Sequence, residues 1–192
     1  MRPLICFSLA AVMACQSTAD KTIVVESDFV VSDNAESDQG GMSEFDRSVD
    51  VFGLTVYAET GISDQKLLYV ANVFAELLDN DEDGVIDDSA VFQQLLDSKA
   101  MMPIFASEGS SGEEAFMEGY EGDGVSAVLY NGEVDPAQPG HWGADASVEE
   151  IMHTINHVGH VSIYPEAFAL EPGALSGVVD TPSGLHLILR LS

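Results

Sequence analysis

A run of closely spaced carboxylates marks the part of the sequence best suited to bind a metal ion. It reads Asp79-Asn80-Asp81-Glu82-Asp83-Gly84-Val85-Ile86-Asp87-Asp88. Ca²⁺ takes about six to eight oxygen ligands, and a glycine such as Gly84 lets the chain turn sharply around the ion. We therefore predict a calcium site whose ligands are the backbone carbonyl of Val85 and the side chains of Asp79, Asp81, Asp83 and Asp87.

The spacing of these residues resembles an EF-hand calcium loop. Carboxylates occupy loop positions 1, 3 and 5, glycine occupies position 6 and Ile86 occupies position 8, with predicted helices on both sides. The run also resembles the aspartate-rich loops of dockerin and thrombospondin type-3 repeats. Ala90 stands at position 12, where a bidentate glutamate normally completes the ligand shell, so we expect weak, structural binding. The alternative interpretation is a solvated acidic turn.

A second group of possible metal ligands lies further along the chain. Glu149, His153, His157 and His160 follow one another at intervals that place them on one stripe of a helix. Two histidines at positions i and i+4 can share a zinc ion. We therefore treat His153, His157 and Glu149 as a tentative second metal site.

This second group resembles the zincin peptidases in its histidine spacing but lacks their catalytic glutamate. The segment reads His153-Thr154-Ile155-Asn156-His157, with no carboxylate between the histidines to serve as the general base. Glu150 or His141 are further candidate ligands. A metal-dependent hydrolase that uses His153 and His157 is therefore the weakest of our functional hypotheses, and zinc is not an expected cofactor. The alternative is an interfacial helix whose histidines are neutral polar residues.

The last residues of the chain carry its most specific pattern, which joins Phe168-Ala169-Leu170, Gly173, Leu175-Ser176-Gly177, Val179, Thr181, Ser183-Gly184, His186 and Ile188-Leu189-Arg190. This pattern resembles the end of a parvulin-type peptidyl-prolyl cis/trans isomerase. The resemblance implies that His186 is the active-site histidine and that Thr181 is the family's threonine before the last turn. It also implies proline-containing polypeptides as substrates and a reaction that needs no cofactor.

The resemblance covers only the end of a parvulin domain. The first-strand segment with the family's second histidine and the Gly-Gly-Asp-Leu-Gly segment are both missing from this sequence. Ile163 stands where the family has a phenylalanine of the proline pocket. The C-terminal segment is therefore either an active isomerase element or a degenerate one that only closes a sheet.

The first residues have the character of a secretory signal. Met1-Arg2-Pro3 is followed by an apolar stretch of about ten residues, too short to span a membrane, and then by Cys15. Val12-Met13-Ala14-Cys15 resembles the lipobox of bacterial lipoproteins, which implies lipidation of Cys15 and attachment to a bilayer. By the same resemblance, Gln16 after the cysteine, where an aspartate would imply retention in the inner membrane, favours the outer membrane. The alternative is a plain signal peptide.

The charge of the chain limits its partners. Six lysines and arginines stand against 33 aspartates and glutamates, giving a formal net charge of -27. Such a surface repels phosphate backbones, so we expect no nucleic-acid partner, and it attracts cations. Hydrophobic residues make up 46% and charged residues 20% of the chain, which is typical of a globular protein.

The predicted elements follow from local patterns. The apolar, β-branched stretch Val51–Tyr57 predicts a strand, and Ser63-Asp64 begins a helix whose apolar residues recur at the helical period. A shorter helix is predicted around Val91, Phe92 and Leu95. Strands are then predicted at Met101–Ala106 and Val125–Tyr130, joined by a loop rich in glycine and glutamate.

The C-terminal third is predicted to contain a third helix and two strands. Ser147-Val148-Glu149-Glu150 has the form of a capping box that opens the helix, and Pro165 closes it. The strands Val178–Asp180 and Leu185–Leu191 flank a turn at Pro182-Ser183-Gly184.

These elements predict an α+β fold with one folded region and appendages. We expect a lipoprotein signal at 1–14, an acidic flexible tether at 15–45, an α+β region at 46–167 and the parvulin-like segment at 168–192. The leading functional hypothesis is a lipid-anchored protein of the cell envelope with a peptidyl-prolyl isomerase-like end. The alternative is a non-enzymatic, calcium-binding surface lipoprotein.

Overall fold

The core of the protein is a five-stranded mixed sheet. A computed structural model describes residues 27–181 and 184–189, so the predicted signal, Cys15 and Pro182-Ser183 lie outside the described residues. The sheet has the strand order β1-β2-β3-β4-β5, in which β1, β2 and β3 are antiparallel neighbours and β3, β4 and β5 are parallel. Its strands are Ser32–Asp33 (β1), Phe45–Val51 (β2), Leu54–Glu59 (β3), Met101–Phe105 (β4) and Leu129–Tyr130 (β5).

A tight turn divides the first predicted strand. The prediction of one strand over Val51–Tyr57 was wrong at its start, because β2 ends at Val51 and β3 begins at Leu54. Phe52 and Gly53 form the turn with φ angles of 57° and 96°. The apolar run in the sequence gives no sign of this turn, because Phe52 is as apolar as a residue of a buried strand.

The first two helices agree with the prediction and connect β3 to β4. Helix α1 spans Asp64–Leu78, and the Ser63 side chain accepts a hydrogen bond from the Lys66 amide at its start. Helix α2 spans Ser89–Asp97, and the Asp88 carboxylate accepts hydrogen bonds from the first amides of that helix. Because β3 and β4 are parallel, the connection must cross the sheet, and α1 and α2 provide that crossover.

Helix α3, Ser111–Gly119, was not predicted. The Ser110 side chain caps it by accepting from the Glu113 amide, and Phe116 is its one large buried residue. A segment with so little apolar repetition has no helical signature in the sequence. Its N-terminus is instead held by a distant residue, because the buried carboxylate of Glu59 at the end of β3 accepts from Ser110 Oγ (2.7 Å) and the Gly112 amide (3.1 Å).

The predicted capping box does not begin the last long helix. Helix α4 spans Ser147–Thr154, so Ser147 is already inside it, and its hydroxyl donates to Asp145 Oδ1 at 2.7 Å. The helix continues through a π-helical segment, Ile155–His160, and α5, Val161–Ile163. It stops before Pro165, as predicted, and a short α6, Pro165–Phe168, follows.

Part of the predicted tether is packed on the sheet. The β1 strand pairs with β2, and Met42 is 2% exposed. The Asn34 side-chain amide donates to the carbonyls of Met42 (3.2 Å) and Phe45 (3.0 Å), which ties this segment to the edge of the sheet. An acidic, serine-rich composition was therefore a poor guide to this segment, because its few apolar residues are enough to attach it.

The sheet is covered on both faces. One face carries the main core with α1, α2, α4 and the π-helical segment, and the other carries a smaller aromatic core with α3. Neighbouring residues of one strand enter different cores, for example Val56 and Tyr57. Of the predicted strand Val125–Tyr130, only Leu129–Tyr130 pairs with β4.

The C-terminal strands form a separate hairpin, and the α+β prediction is confirmed. Strand β6, Leu175–Thr181, pairs antiparallel with β7, Gly184–Leu189. Within the described residues this hairpin is its own two-stranded sheet and pairs with none of the five strands of the main sheet. No helix in the described ranges has both the length and the apolar character needed to cross a membrane.

Candidate functional site

The acidic loop between α1 and α2 brings three predicted calcium ligands together. One carboxylate oxygen from each of Asp79, Asp81 and Asp83 lies within 4.8 Å of the others. Asp81 and Asp83 are exposed, and Asp79 is half-buried at the end of α1. Oxygens at this separation are close enough to share one cation of the size of Ca²⁺.

Backbone amides hold these carboxylates in place. Asp79 Oδ2 accepts from the Gly84 amide at 2.9 Å, and its Oδ1 accepts from the Asp83 amide at 3.2 Å. Asp83 Oδ1 accepts from the Val85 amide at 2.8 Å. The chain can fold back in this way because Glu82 and Gly84 adopt left-handed φ angles of 56° and 84°. The aspartates are thus oriented by the loop itself.

The other two predicted ligands are placed differently. Asp87 closes the loop, since its Oδ2 accepts from the Asn80 amide at 3.0 Å, but it is not part of the group of three carboxylates. The Val85 side chain is exposed, while Ile86 packs against the main core and anchors the loop. A cation would therefore bind mainly to the three clustered carboxylates. Asp87 and the Val85 carbonyl lie further along the loop, where it leads back to α2.

Position 12 of the loop has no ligand to offer. Ala90 belongs to α2, and its amide donates to Asp88 Oδ1 at 3.0 Å. The other oxygen of Asp88 accepts from the Tyr164 hydroxyl at 2.7 Å. Asp88 is therefore engaged as a helix cap. Position 12 therefore lacks a bidentate ligand, and Asp88, the carboxylate nearest to it, already caps the start of α2.

The histidine helix does not assemble a comparable group. The rings of His153 and His157 lie 5.9 Å apart, and His153 Nδ1 lies 3.6 Å from Glu150 Oε2. Among the described residues, the group of three or more donors close enough to hold one ion is the aspartate group of the acidic loop. The site at His153, His157 and Glu149 remains a prediction, and the acid that lies beside His153 is Glu150.

The remaining histidines lie apart from that pair. His157 Nδ1 is 3.1 Å from Ser126 Oγ, a contact that the sequence did not indicate. His160 is half-buried beside the Tyr164 ring at 6.3 Å, and burial lowers its pKa although Asp88 partly opposes the shift. His141 lies in the loop before α4, with its Nδ1 3.1 Å from the Trp142 carbonyl.

The residues carried over from the parvulin resemblance lie on the C-terminal hairpin. His186 on β7 is the register partner of Val179, and Thr181 pairs with Gly184 next to the turn. Both strands include most of the predicted ones, and the predicted end at Leu191 lies outside the described residues. Ile163, at the predicted place of the proline-pocket phenylalanine, ends α5 and packs against the main core of the protein instead.

Comparison with known proteins finds the isomerase likeness in a short segment. The chain is 76% identical over 25 residues to the peptidyl-prolyl cis-trans isomerase ssp-1 of Neurospora crassa. The matched segment is 13% of this chain and 14% of that protein, so most of the relative's length has no counterpart here. No protein-family profile matches the chain, and no solved structure matches it. The likeness supports a partial relationship, over 25 residues, to a peptidyl-prolyl isomerase.

Proposed function

We propose that this protein is a calcium-binding protein of the cell envelope, attached through a lipidated Cys15. The observation that supports calcium binding is the group formed by Asp79, Asp81 and Asp83, whose oxygens lie within 4.8 Å of one another. Like charges at this distance repel, and a divalent cation between them removes that repulsion. Among the described residues, the ion pairs of Arg47 and His153 involve none of these three aspartates. The cation would therefore supply the missing positive charge.

The proposed role of the ion is structural. The loop joins the end of α1 to the start of α2, and both helices carry one side of the main core. An ion held by this loop would bind the folded state, in which the three carboxylates converge, and not the unfolded chain. A ligand that binds the native state alone raises stability by mass action.

Calcium is expected to raise the melting temperature of the protein produced without its lipid anchor. At a concentration of about ten times Kd the gain is about 1.4 kcal/mol, or about 3–6 °C for a chain of this size. Mg²⁺ should do less, because it requires a tighter octahedral shell. The measurement is thermal unfolding followed by circular dichroism in CaCl₂, MgCl₂ and NaCl at equal ionic strength. Equal shifts in the three salts would contradict a calcium site.

Matched variants separate the loop from the general acidity of the chain. Asp81→Asn/Asp83→Asn removes two charges from the group and should abolish the calcium-specific shift. Asp38→Asn/Asp123→Asn removes two exposed carboxylates elsewhere and should keep it. If both pairs respond to calcium alike, the ion acts through nonspecific screening.

A second candidate function is peptidyl-prolyl isomerisation at the C-terminal hairpin. It is favoured by the 76% identity over 25 residues to the Neurospora crassa isomerase. The barrier of about 18–20 kcal/mol to rotation about the X–Pro bond comes from amide resonance, and an enzyme lowers it by binding the twisted amide better than the planar one. His186 and Thr181 would contribute polar groups to that state, with proline-containing polypeptides as substrates.

Isomerase activity is testable by cis/trans exchange in an acidic-Pro peptide, measured by NMR. If the hairpin is active, the wild type accelerates exchange and His186→Ala lowers the acceleration about a hundredfold, because a polar contact to the twisted amide is lost. Leu187→Ala, at the next position of β7, is the control and should change stability more than exchange. No acceleration by the wild-type protein would show that the segment lacks this activity.

A further inference from the structure

An open cavity lies between the loop before α4 and the first turn of that helix. Its volume is about 550 Å³, and it shares no residue with the acidic loop or the C-terminal hairpin. One wall is the loop that carries Trp142, and the other is α4 with Val148, Glu149 and Glu150. Glu133, from the turn after β5, completes the rim.

The apolar part of this cavity faces solvent. Trp142 is 87% exposed and Val148 is 42% exposed. An indole is seldom left so open in a folded domain unless its flat face serves a contact, because its burial contributes strongly to binding. Trp142 is also the sole tryptophan of the chain.

The loop that presents Trp142 is held firmly. Asp145 is buried, and its Oδ2 accepts from the Tyr69 hydroxyl and the Gly140 amide, each at 2.7 Å. Its Oδ1 accepts from the Ser147 hydroxyl at 2.7 Å. One carboxylate thus ties the loop to α1 on one side and to α4 on the other. A loop that is ordered before binding loses little conformational entropy when a ligand binds to it.

The rim of the cavity is negative. Glu133, Glu149 and Glu150 all line it, whereas His153 lies 3.6 Å from Glu150 and Lys66 donates to Asn131, two residues before Glu133. Glu149 and Glu150 are neighbours in the first turn of α4, and their like charges repel each other and that of Glu133 across the rim. An incoming cation would relieve this repulsion, whereas an anion would increase it.

We propose that this cavity binds an arginine side chain of a partner polypeptide, with the guanidinium stacked on Trp142 and paired with Glu149 or Glu150. A guanidinium fits both walls, because it stacks on an indole face and donates to a carboxylate through a planar fork. Lysine offers a point charge without the planar surface, so it matches the carboxylates but not the indole as well. A neutral side chain leaves the carboxylates uncompensated.

The first experiment titrates the soluble protein with end-capped triarginine and end-capped trilysine peptides in EDTA. Trp142 fluorescence reports the cavity directly, since the protein has no other tryptophan. Triarginine should change the emission and bind at least about threefold more tightly than trilysine, as expected from cation–π stacking. Equal affinities for the two peptides would overturn the proposal and indicate general attraction to an acidic surface. EDTA keeps this outcome separate from the calcium proposal.

The second experiment compares two double variants with equal loss of charge. Glu149→Gln/Glu150→Gln should weaken triarginine binding about tenfold, because charge-assisted hydrogen bonds are lost. Glu114→Gln/Glu118→Gln removes two exposed carboxylates of α3 and should leave affinity nearly unchanged. Trp142→Leu, measured by calorimetry, should also weaken binding. Equal weakening by both double variants, or no effect of Trp142→Leu, would refute the site.

Discussion

Asp145→Ala is expected to lower the free energy of unfolding by about 3 kcal/mol or more, since each buried donor left without an acceptor costs about 1–3 kcal/mol. The change removes the acceptor of the Tyr69 hydroxyl, the Gly140 amide and the Ser147 hydroxyl. Tyr69 is only 9% exposed, so water cannot readily replace the lost partner. Urea unfolding measured by circular dichroism gives the change as a shift in midpoint.

Two variants control for the loss of a negative charge. Asp135→Ala removes a half-buried carboxylate that accepts hydrogen bonds within its own turn, from the Ala137 amide and the Gln138 side chain, and should cost far less. Asp145→Asn keeps one acceptor oxygen and should fall between the two. If Asp145→Ala and Asp135→Ala unfold at the same urea concentration, the buried network does not stabilise the loop.

Phe45→Ala should cost about 3–5 kcal/mol, the usual range for a large aromatic residue removed from a core. Phe45 is 1% exposed, and its ring centroid lies 5.6 Å from Tyr57, 5.4 Å from Phe105 and 5.8 Å from Phe116. These four rings join β2, β3, β4 and α3. Removing the central ring leaves a cavity that the surrounding strands cannot close without moving. The measurement is again urea unfolding.

Phe52→Ala is the matched control for the aromatic core. Phe52 is 48% exposed and its ring lies 5.8 Å from that of Phe29, so its removal creates no enclosed cavity. We expect a loss of about 1 kcal/mol or less. Losses of equal size for Phe45→Ala and Phe52→Ala would show that the small core contributes little to stability.

The best sequence predictions concern elements that carry their own signals. Helix α1 has a capping serine at Ser63 and a regular apolar stripe, and α2 carries the apolar residues Val91, Phe92 and Leu95, so both were located correctly. The acidic loop is equally local, because the amides that orient Asp79 and Asp83 belong to the next few residues. Such features depend on contacts within a few residues, which a sequence pattern displays directly.

The errors concern segments whose structure depends on distant partners. Helix α3 depends on Glu59, whose carboxylate lies so near Gly112 that a Cβ there would be 2.5 Å from it. The last part of the predicted tether is attached through Asn34, which donates to the carbonyls of Met42 and Phe45. Neither interaction produces a periodic pattern in the sequence, because the partners are brought together only by folding.

The histidine helix was predicted in part from local sequence and depends in part on distant packing. Its existence and its end before Pro165 followed from local sequence, since proline cannot continue a helix. Its π-helical turn did not, and it occurs where Gly159 packs on α2, with room for no side chain because a Cβ would lie 2.8 Å from Val91 Cγ1. Packing against another helix therefore decides which histidines face solvent and which are half-buried.

The sequence by itself determined the acidic character of the protein, the α+β class, the two first helices and a loop whose carboxylates converge. Each of these rests on composition or on interactions between near neighbours. Only the tertiary structure decided that Asp145 joins Tyr69, 76 residues away, and so holds Trp142 open beside Glu149 and Glu150. A buried hydrogen bond across that distance forms only after α1 and α4 have packed together, because its strength requires the exclusion of water by the core.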